Sequence, residues 1–124
     1  MHFNEFKSQV EAQDVKLPKG WGGRGGNKDS YIKFASLGFP GSGTRRNFTN
    51  HDVRLAVAWV KVHALTGIAD AKTSNMGQKA TQMLAYYTTG WIVMSEGQVY
   101  WTDAPTKQVF DKGAVCIPAL TMLS

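Results

Sequence analysis

A single cysteine, Cys116, stands among 124 residues, so neither an internal disulfide framework nor a Cys-based zinc cluster can hold this chain. No apolar run approaches the roughly 18 residues that span a bilayer. The first residues, His2-Phe3-Asn4-Glu5, form neither a charged nor an apolar leader segment. A globular cytoplasmic protein without a membrane partner is the expectation. Acids are scarce too: 9 Asp and Glu face 14 Lys and Arg, for a net charge of +5. What is abundant is apolar material. Hydrophobic residues make up 43%, with four Trp, six Phe and four Tyr, which excludes a solubilising disordered tail and is enough for one domain with a real core.

The positive charge is concentrated. Residues 16–46 hold seven basic residues (Lys16, Lys19, Arg24, Lys28, Lys33, Arg45, Arg46) and one acid, Asp29, a local charge of +6. The rest of the chain, seven basic residues against eight acids, is −1. A Gly-rich polar segment carrying one sign of charge suits phosphate neutralisation, and such one-sign fields are usually avoided unless they steer a partner.

Periodicity outlines the rest. Phe3, Phe6 and Val10 predict a short amphipathic helix over residues 3–13. Pro18 and Gly20-Trp21-Gly22-Gly23-Arg24-Gly25-Gly26 break regular structure. A second short helix is predicted from Asp29 or Ser30 through Tyr31, Phe34 and Ala35 to a stop at Gly38, followed by a turn over residues 39–44. Thr49 and Asp52 have the spacing of a capping box. They open a helix with Val53, Ala56, Val57, Val60 and Ala64 on one stripe and Leu55, Trp59 and Val62 on another, ended by Thr66-Gly67. A further helix over residues 73–87 places Met76, Ala80, Met83, Leu84 and Tyr87 on one face, with Gly90 as its stop. Residues 91–95 and 98–102 flank Glu96-Gly97 and predict a hairpin; residues 115–117 form a third strand that Pro118 restricts to an edge or an end. The fold class is α+β.

Catalytic groupings are thin. Residues 38–44 look superficially like a phosphate loop, but Thr44 stands where the motif needs Lys, and no buried strand precedes it. His51 falls in the first turn of a helix. His63 and Cys116 read either as a distant pair or as an exposed imidazole and a packed thiol. Asp103 and Asp111 lie in a loop region. Asn47-Phe48-Thr49 matches a glycosylation acceptor, which carries no weight without a secretory signal. No enzyme, cofactor or metal is expected.

The run Gly41-Ser42-Gly43-Thr44-Arg45-Arg46-Asn47-Phe48-Thr49-Asn50-His51-Asp52-Val53-Arg54 remains. Two arginines leave a glycine turn, an aromatic anchors the extended step, and a capped helix follows. This resembles the wing and following helix of MerR-like winged helix-turn-helix domains, found in transcription regulators and, truncated, in phage excisionases and repressor-like proteins; the small size and Trp-rich hairpin resemble a phage-encoded member. The likeness covers about residues 28–62. It implies a small winged-helix-like helical core with a C-terminal β-hairpin. A recognition helix at residues 27–34 would turn Lys28, Ser30, Tyr31 and Lys33 to DNA. Thr44, Arg45 and Arg46 would form the wing and Arg54 the start of the helix behind it, with Phe48 and Val53 as core anchors. A helix-turn-helix joins its helices by three or four residues, whereas a Gly-rich stretch over residues 18–26 intervenes here. The long dimerising helix and metal-sensing cysteines of full-length regulators are also missing, which argues against an effector-sensing activator.

One domain, residues 1–124, is therefore expected. It divides into a basic Gly-rich arm at 16–27, a winged-helix-like region at 28–67, and a helix plus β-hairpin at 72–124. The function implied is non-enzymatic binding of double-stranded DNA, as a transcriptional regulator or recombination directionality factor in the host cytoplasm or nucleoid. Arg24 next to Trp21 reads either as an RGG-type auxiliary contact or as part of a plain linker. Trp91 and Trp101 read either as core on one sheet face over the long helix or, with Tyr100, as a patch for a partner. The alternative function is a small phage-type interaction protein that binds a host protein through that hairpin and the basic arm.

Overall fold

The computed structural model describes residues 1–15, 47–66 and 75–123. Among them run, in order, α1 (Phe3–Glu11), α2 (Asn50–Thr66), α3 (Asn75–Tyr86), β1 (Trp91–Ser95), β2 (Gln98–Thr102), α4 (Lys107–Asp111) and β3 (Val115–Pro118). This is an α+β fold, as the patterning predicts. The helix expected near residues 29–38, the 39–44 turn, the Gly-rich arm and the Gly67 stop lie outside the described residues.

α1 is nine residues, too short to persist alone, and is held by what it buries. Phe6 and Val10, one turn apart, are both fully buried. Phe6 stacks on Phe48 with ring centroids 4.0 Å apart and planes 12° from parallel. Burying such a side chain is worth about 1.5–3 kcal/mol, more than the helix gains from its own propensity. The Met1 carbonyl accepts the Phe48 N–H at 2.7 Å, and the Met1 ammonium donates to the Asn47 side-chain oxygen and the Phe48 carbonyl, each at 2.7 Å. The helix stops two residues before the predicted limit. Asp14, at φ 61°, turns the chain, and Gln13 exchanges two hydrogen bonds with the Leu123 backbone.

The predicted capping box forms. The Thr49 N–H donates to Asp52 Oδ2 at 2.8 Å, and the Asp52 N–H donates to Thr49 Oγ1 at 3.2 Å. Each bond satisfies a donor the helix cannot, typically about 1 kcal/mol apiece. α2 then runs through the centre, with Val53, Leu55, Ala56, Val57, Ala58, Trp59 and Val62 buried. Burial ends there. Val60 is half-buried and Ala64 is exposed, so the stripe expected to reach Ala64 stops a turn early.

α3 presents the expected face, with Ala80 and Leu84 buried and Met76, Met83 and Tyr87 packed against the core. A second buried row, Gly77, Thr81 and Ala85, lies beside it at spacings of four. These small residues suit a close approach to another helix, and the Thr81 hydroxyl returns its proton to the Gly77 carbonyl at 2.7 Å.

The sheet has order β2-β1-β3 and is antiparallel throughout. Glu96 at φ 52° and Gly97 at φ 77° supply the two left-handed residues that a type I′ hairpin turn requires. β3 is the edge strand that Pro118 predicts. Register sorts the side chains: Ile92, Met94, Val99, Trp101, Val115 and Ile117 face α2 and α3, while Trp91, Val93, Tyr100, Cys116 and Pro118 face away. Trp91 and Trp101 therefore do not share a face, contrary to the one-face core reading. The segment around Asp111, expected as loop, ends in a short helix: Thr106 Oγ1 accepts the Val109 N–H and caps α4, so Asp111 is helical.

Candidate functional site

Arg54 lies four residues into α2, about 6 Å along the axis from Asn50. Its guanidinium reaches the end of α3: Nε donates to the Ala85 carbonyl at 2.8 Å and Nη2 to the Tyr87 carbonyl at 3.4 Å. The start of α2 thus lies against the end of α3, and the two helices are antiparallel. The last carbonyls of a helix have no partner within it and carry its negative dipole end, so a cation placed there is doubly favourable.

Directly beyond those carbonyls stands an aromatic cluster. Tyr87 stacks on Trp101 with centroids 5.3 Å apart and planes 18° from parallel. The Trp101 indole N–H donates to the Thr89 carbonyl at 2.7 Å, which fixes the ring. Tyr86 meets Tyr87 edge to face, at 5.1 Å and 87°. Gly90, at φ 82°, is a required glycine: a Cβ there would stand 2.5 Å from the Trp101 indole nitrogen. The outcome is a braced corner in which Tyr86 remains 73% exposed.

No family model, curated protein or solved structure matches this chain. Function must be read from the residues themselves.

Of the residues expected to meet DNA, Arg24, Lys28, Ser30, Tyr31, Lys33, Thr44, Arg45 and Arg46 lie outside the described residues. Arg54 is half-buried against α3. Of the hairpin residues, Trp101 is half-buried in the aromatic corner, whereas Trp91 and Tyr100 lie half-buried on the outer sheet face. His63 is exposed and stacks on Trp59 at 5.3 Å, while Cys116 projects from the sheet face turned away from the helices, so the sheet separates the two. Burial also pushes the Cys116 thiol above its ordinary pKa, the reverse of an activated nucleophile. Among the described residues no group of three or more His, Cys, Asp or Glu is placed to hold a metal, and no helix is long and apolar enough to cross a membrane.

Two grooves lie among the described residues. One, of about 450 Å³, runs between the last turn of α2 and the C-terminal segment, lined by Lys61, Leu65, Ile117 and Leu120 among others. The other, of about 400 Å³, lies between α3 and the hairpin turn, at Met76, Lys79 and Gln98. Among the described lining residues the titratable side chains are these lysines. Neither brings together a nucleophile and a base.

Tyr86 is the residue that the sequence reading passed over. The helical stripe claims Tyr87 and leaves its neighbour one position off the core face. That mismatch, an aromatic outside the stripe at a helix end, was the available signal.

Proposed function

We propose that this chain is a non-enzymatic protein that binds double-stranded DNA, acting in transcriptional control or recombination. The observation that carries the reading is charge segregation. Residues 16–46 hold seven basic residues and one acid, while the described residues hold six basic residues and seven acids. A segment of +6 in a chain otherwise near neutral is the distribution that phosphate neutralisation requires. Lys28 and Lys33 would hold phosphates, and Arg45 or Arg46 would enter a minor groove and sense its width.

The test is fluorescence anisotropy on a labelled random duplex, titrated across salt. Neutralising four to six phosphates gives a log–log slope of about −4 to −5. The double variant Arg45→Ala/Arg46→Ala should bind more weakly, with a slope shallower by about 2, while remaining folded. Absence of binding at low salt would refute the reading. A second reading, docking on a protein partner, draws on Trp91 and Tyr100 on the outer sheet face. It would use the aromatics at residues 91–101 together with the basic arm, whereas DNA binding would depend on residues 16–46.

A further inference from the structure

We infer that the open edge of β2 is a homodimer interface. Two copies of the chain pair β2 with β2 in antiparallel fashion, Tyr100 faces the partner's Tyr100 on the twofold axis, and the two sheets join into one of six strands. Dimerisation at this edge does not depend on DNA binding.

In the order β2-β1-β3 both outer strands are edges, but they are not alike. β3 has four residues and ends on Pro118, a residue that blunts an edge. β2 has five, Gln98–Thr102, with no proline, no charge and no bulge in its register with β1. Its two-residue turn makes Ser95 and Gln98 a hydrogen-bonded pair, and such pairs recur at every second residue, at Val93–Tyr100 and Trp91–Thr102. The Gly90 carbonyl accepts the Ala119 N–H at 2.9 Å, which sets the same alternation from the other side: residues 90, 92 and 94 bond towards β3 and residues 91, 93 and 95 towards β2. The backbone N–H and C=O groups of Val99 and Trp101 therefore point away from β1. Among the described residues nothing pairs with them.

Those four groups are their own complement. Antiparallel pairing with a second β2 sets Val99 opposite the partner's Trp101 and Trp101 opposite the partner's Val99, and satisfies all four on each copy. Tyr100 then meets the partner's Tyr100 as a non-hydrogen-bonded pair, the closer kind, where facing aromatics stabilise a sheet. A strand without charge meets no like charge in doing so. The helices agree with this pairing. α3 packs on both β1 and β2. With strands about 4.8 Å apart, a helix midway over that pair lies about 5 Å from the twofold axis, so two α3 helices come to about 10 Å, the spacing of packed helices. α3 begins beside the hairpin turn, where Met76 and Lys79 share the groove of about 400 Å³ with Gln98 and Val99, and ends where Tyr87 stacks on Trp101. It thus runs parallel to β2, and the twofold axis sets the two helices antiparallel. Tyr86 stands two turns beyond Lys79 on the same helix face and is 73% exposed. In the dimer it covers the partner's groove, its ring beneath the ammonium of the partner's Lys79. An unrelated extended peptide could bond to the same edge, but it would bring neither a second helix at packing distance nor a ring for the groove.

The experiment is sedimentation equilibrium of the full chain from micromolar to millimolar concentration, in salt that screens the +5 of each copy. The wild type should pass from the monomer mass to twice that mass. Tyr100→Lys and Tyr100→Glu should each weaken the dimer about tenfold, by removing the aromatic pair and setting like charges face to face. An equal mixture of the two should recover the dimer, because only a residue that meets itself is rescued in this way, and recovery also shows that both variants are folded. A second pair of variants reads the register. In a Cys116→Ser background, Tyr100→Cys should form a disulfide-linked dimer on mild oxidation, since Cα atoms facing each other in such a pair are about 4.5 Å apart. Thr102→Cys should not, because its two copies stand about 14 Å apart along the paired strands. A wild type that stays monomeric throughout overturns the inference and leaves the edge to a strand of another protein. A dimer that Tyr100→Lys leaves intact overturns it too, as does equal cross-linking by Thr102→Cys. The DNA reading stands or falls separately in the anisotropy experiment.

Discussion

Gly90 and Gly97 both adopt positive φ, yet substituting them should have different consequences. At Gly97 an added Cβ meets nothing within 4 Å, and its neighbour Glu96 already shows a non-glycine tolerated at φ 52° in the same turn. At Gly90 a Cβ would stand 2.5 Å from the Trp101 indole nitrogen and 2.7 Å from the Thr102 carbonyl oxygen. The carbonyl belongs to β2 and cannot swing aside, and the indole can do so only by leaving Tyr87 and Thr89. Left-handed backbone costs alanine about 1–2 kcal/mol and overpacking typically about 1–3 kcal/mol. Gly90→Ala is therefore expected to destabilise by about 2–4 kcal/mol, seen as a lower urea midpoint at unchanged slope, with altered tryptophan fluorescence. A wild-type midpoint would mean that the corner is not braced as described. The sequence marks Gly90 only as a helix stop. Its close approach to Trp101 depends on a strand pairing completed eleven residues later, which no local pattern encodes.

At the scale of elements, Arg54 is the tie between α2 and α3. Its two hydrogen bonds from a charged donor should be worth about 1.5–3 kcal/mol, and Arg54→Ala should lower stability by that amount in urea unfolding. Arg54→Lys should recover only part, since a point ammonium cannot place two forked donors. Were Arg54 a phosphate contact instead, the alanine variant would keep its stability and lose about one unit of salt slope, so one pair of measurements separates the roles. The elements that were legible in the sequence are those set by neighbours: Thr49 and Asp52 three residues apart, Glu96-Gly97 between two β-rich runs, and Pro118 confining β3 to an edge. What was not legible depends on partners distant in sequence. The five residues of α4 are too few for a hydrophobic period, so only Thr106 announces them. The Gly77, Thr81 and Ala85 row reads as nothing until a helix lies against it. Trp91 and Trp101 are sorted to opposite faces by strand register, which residue type alone does not fix. The same limit hid the aromatic corner, since Tyr86, Tyr87 and Trp101 come together only when α3 meets β2.

For the molecule as a whole, the charge arithmetic makes the sharpest demand. The described residues, with six basic and seven acidic side chains, have no cationic excess with which to attract a polyanion; the net +5 of the chain arises in residues 16–46. Among the described residues the core runs from Phe6 and Val10 through α2 and α3 to Ile117 and Leu120. None of those core residues is among the seven cations of residues 16–46, so the charge can be removed without altering them. A chain in which Lys16, Lys19, Arg24, Lys28, Lys33, Arg45 and Arg46 are all changed to Gln should still unfold cooperatively, because no residue of that core is altered. It should lose the salt-dependent binding that the intact chain is expected to show, since neutralised phosphates set that slope at about 0.9 per contact. If that variant instead bound the duplex with an undiminished slope, the cations responsible would have to be Arg54 and the six lysines at 7, 61, 72, 79, 107 and 112, and the role given to residues 16–46 would fall.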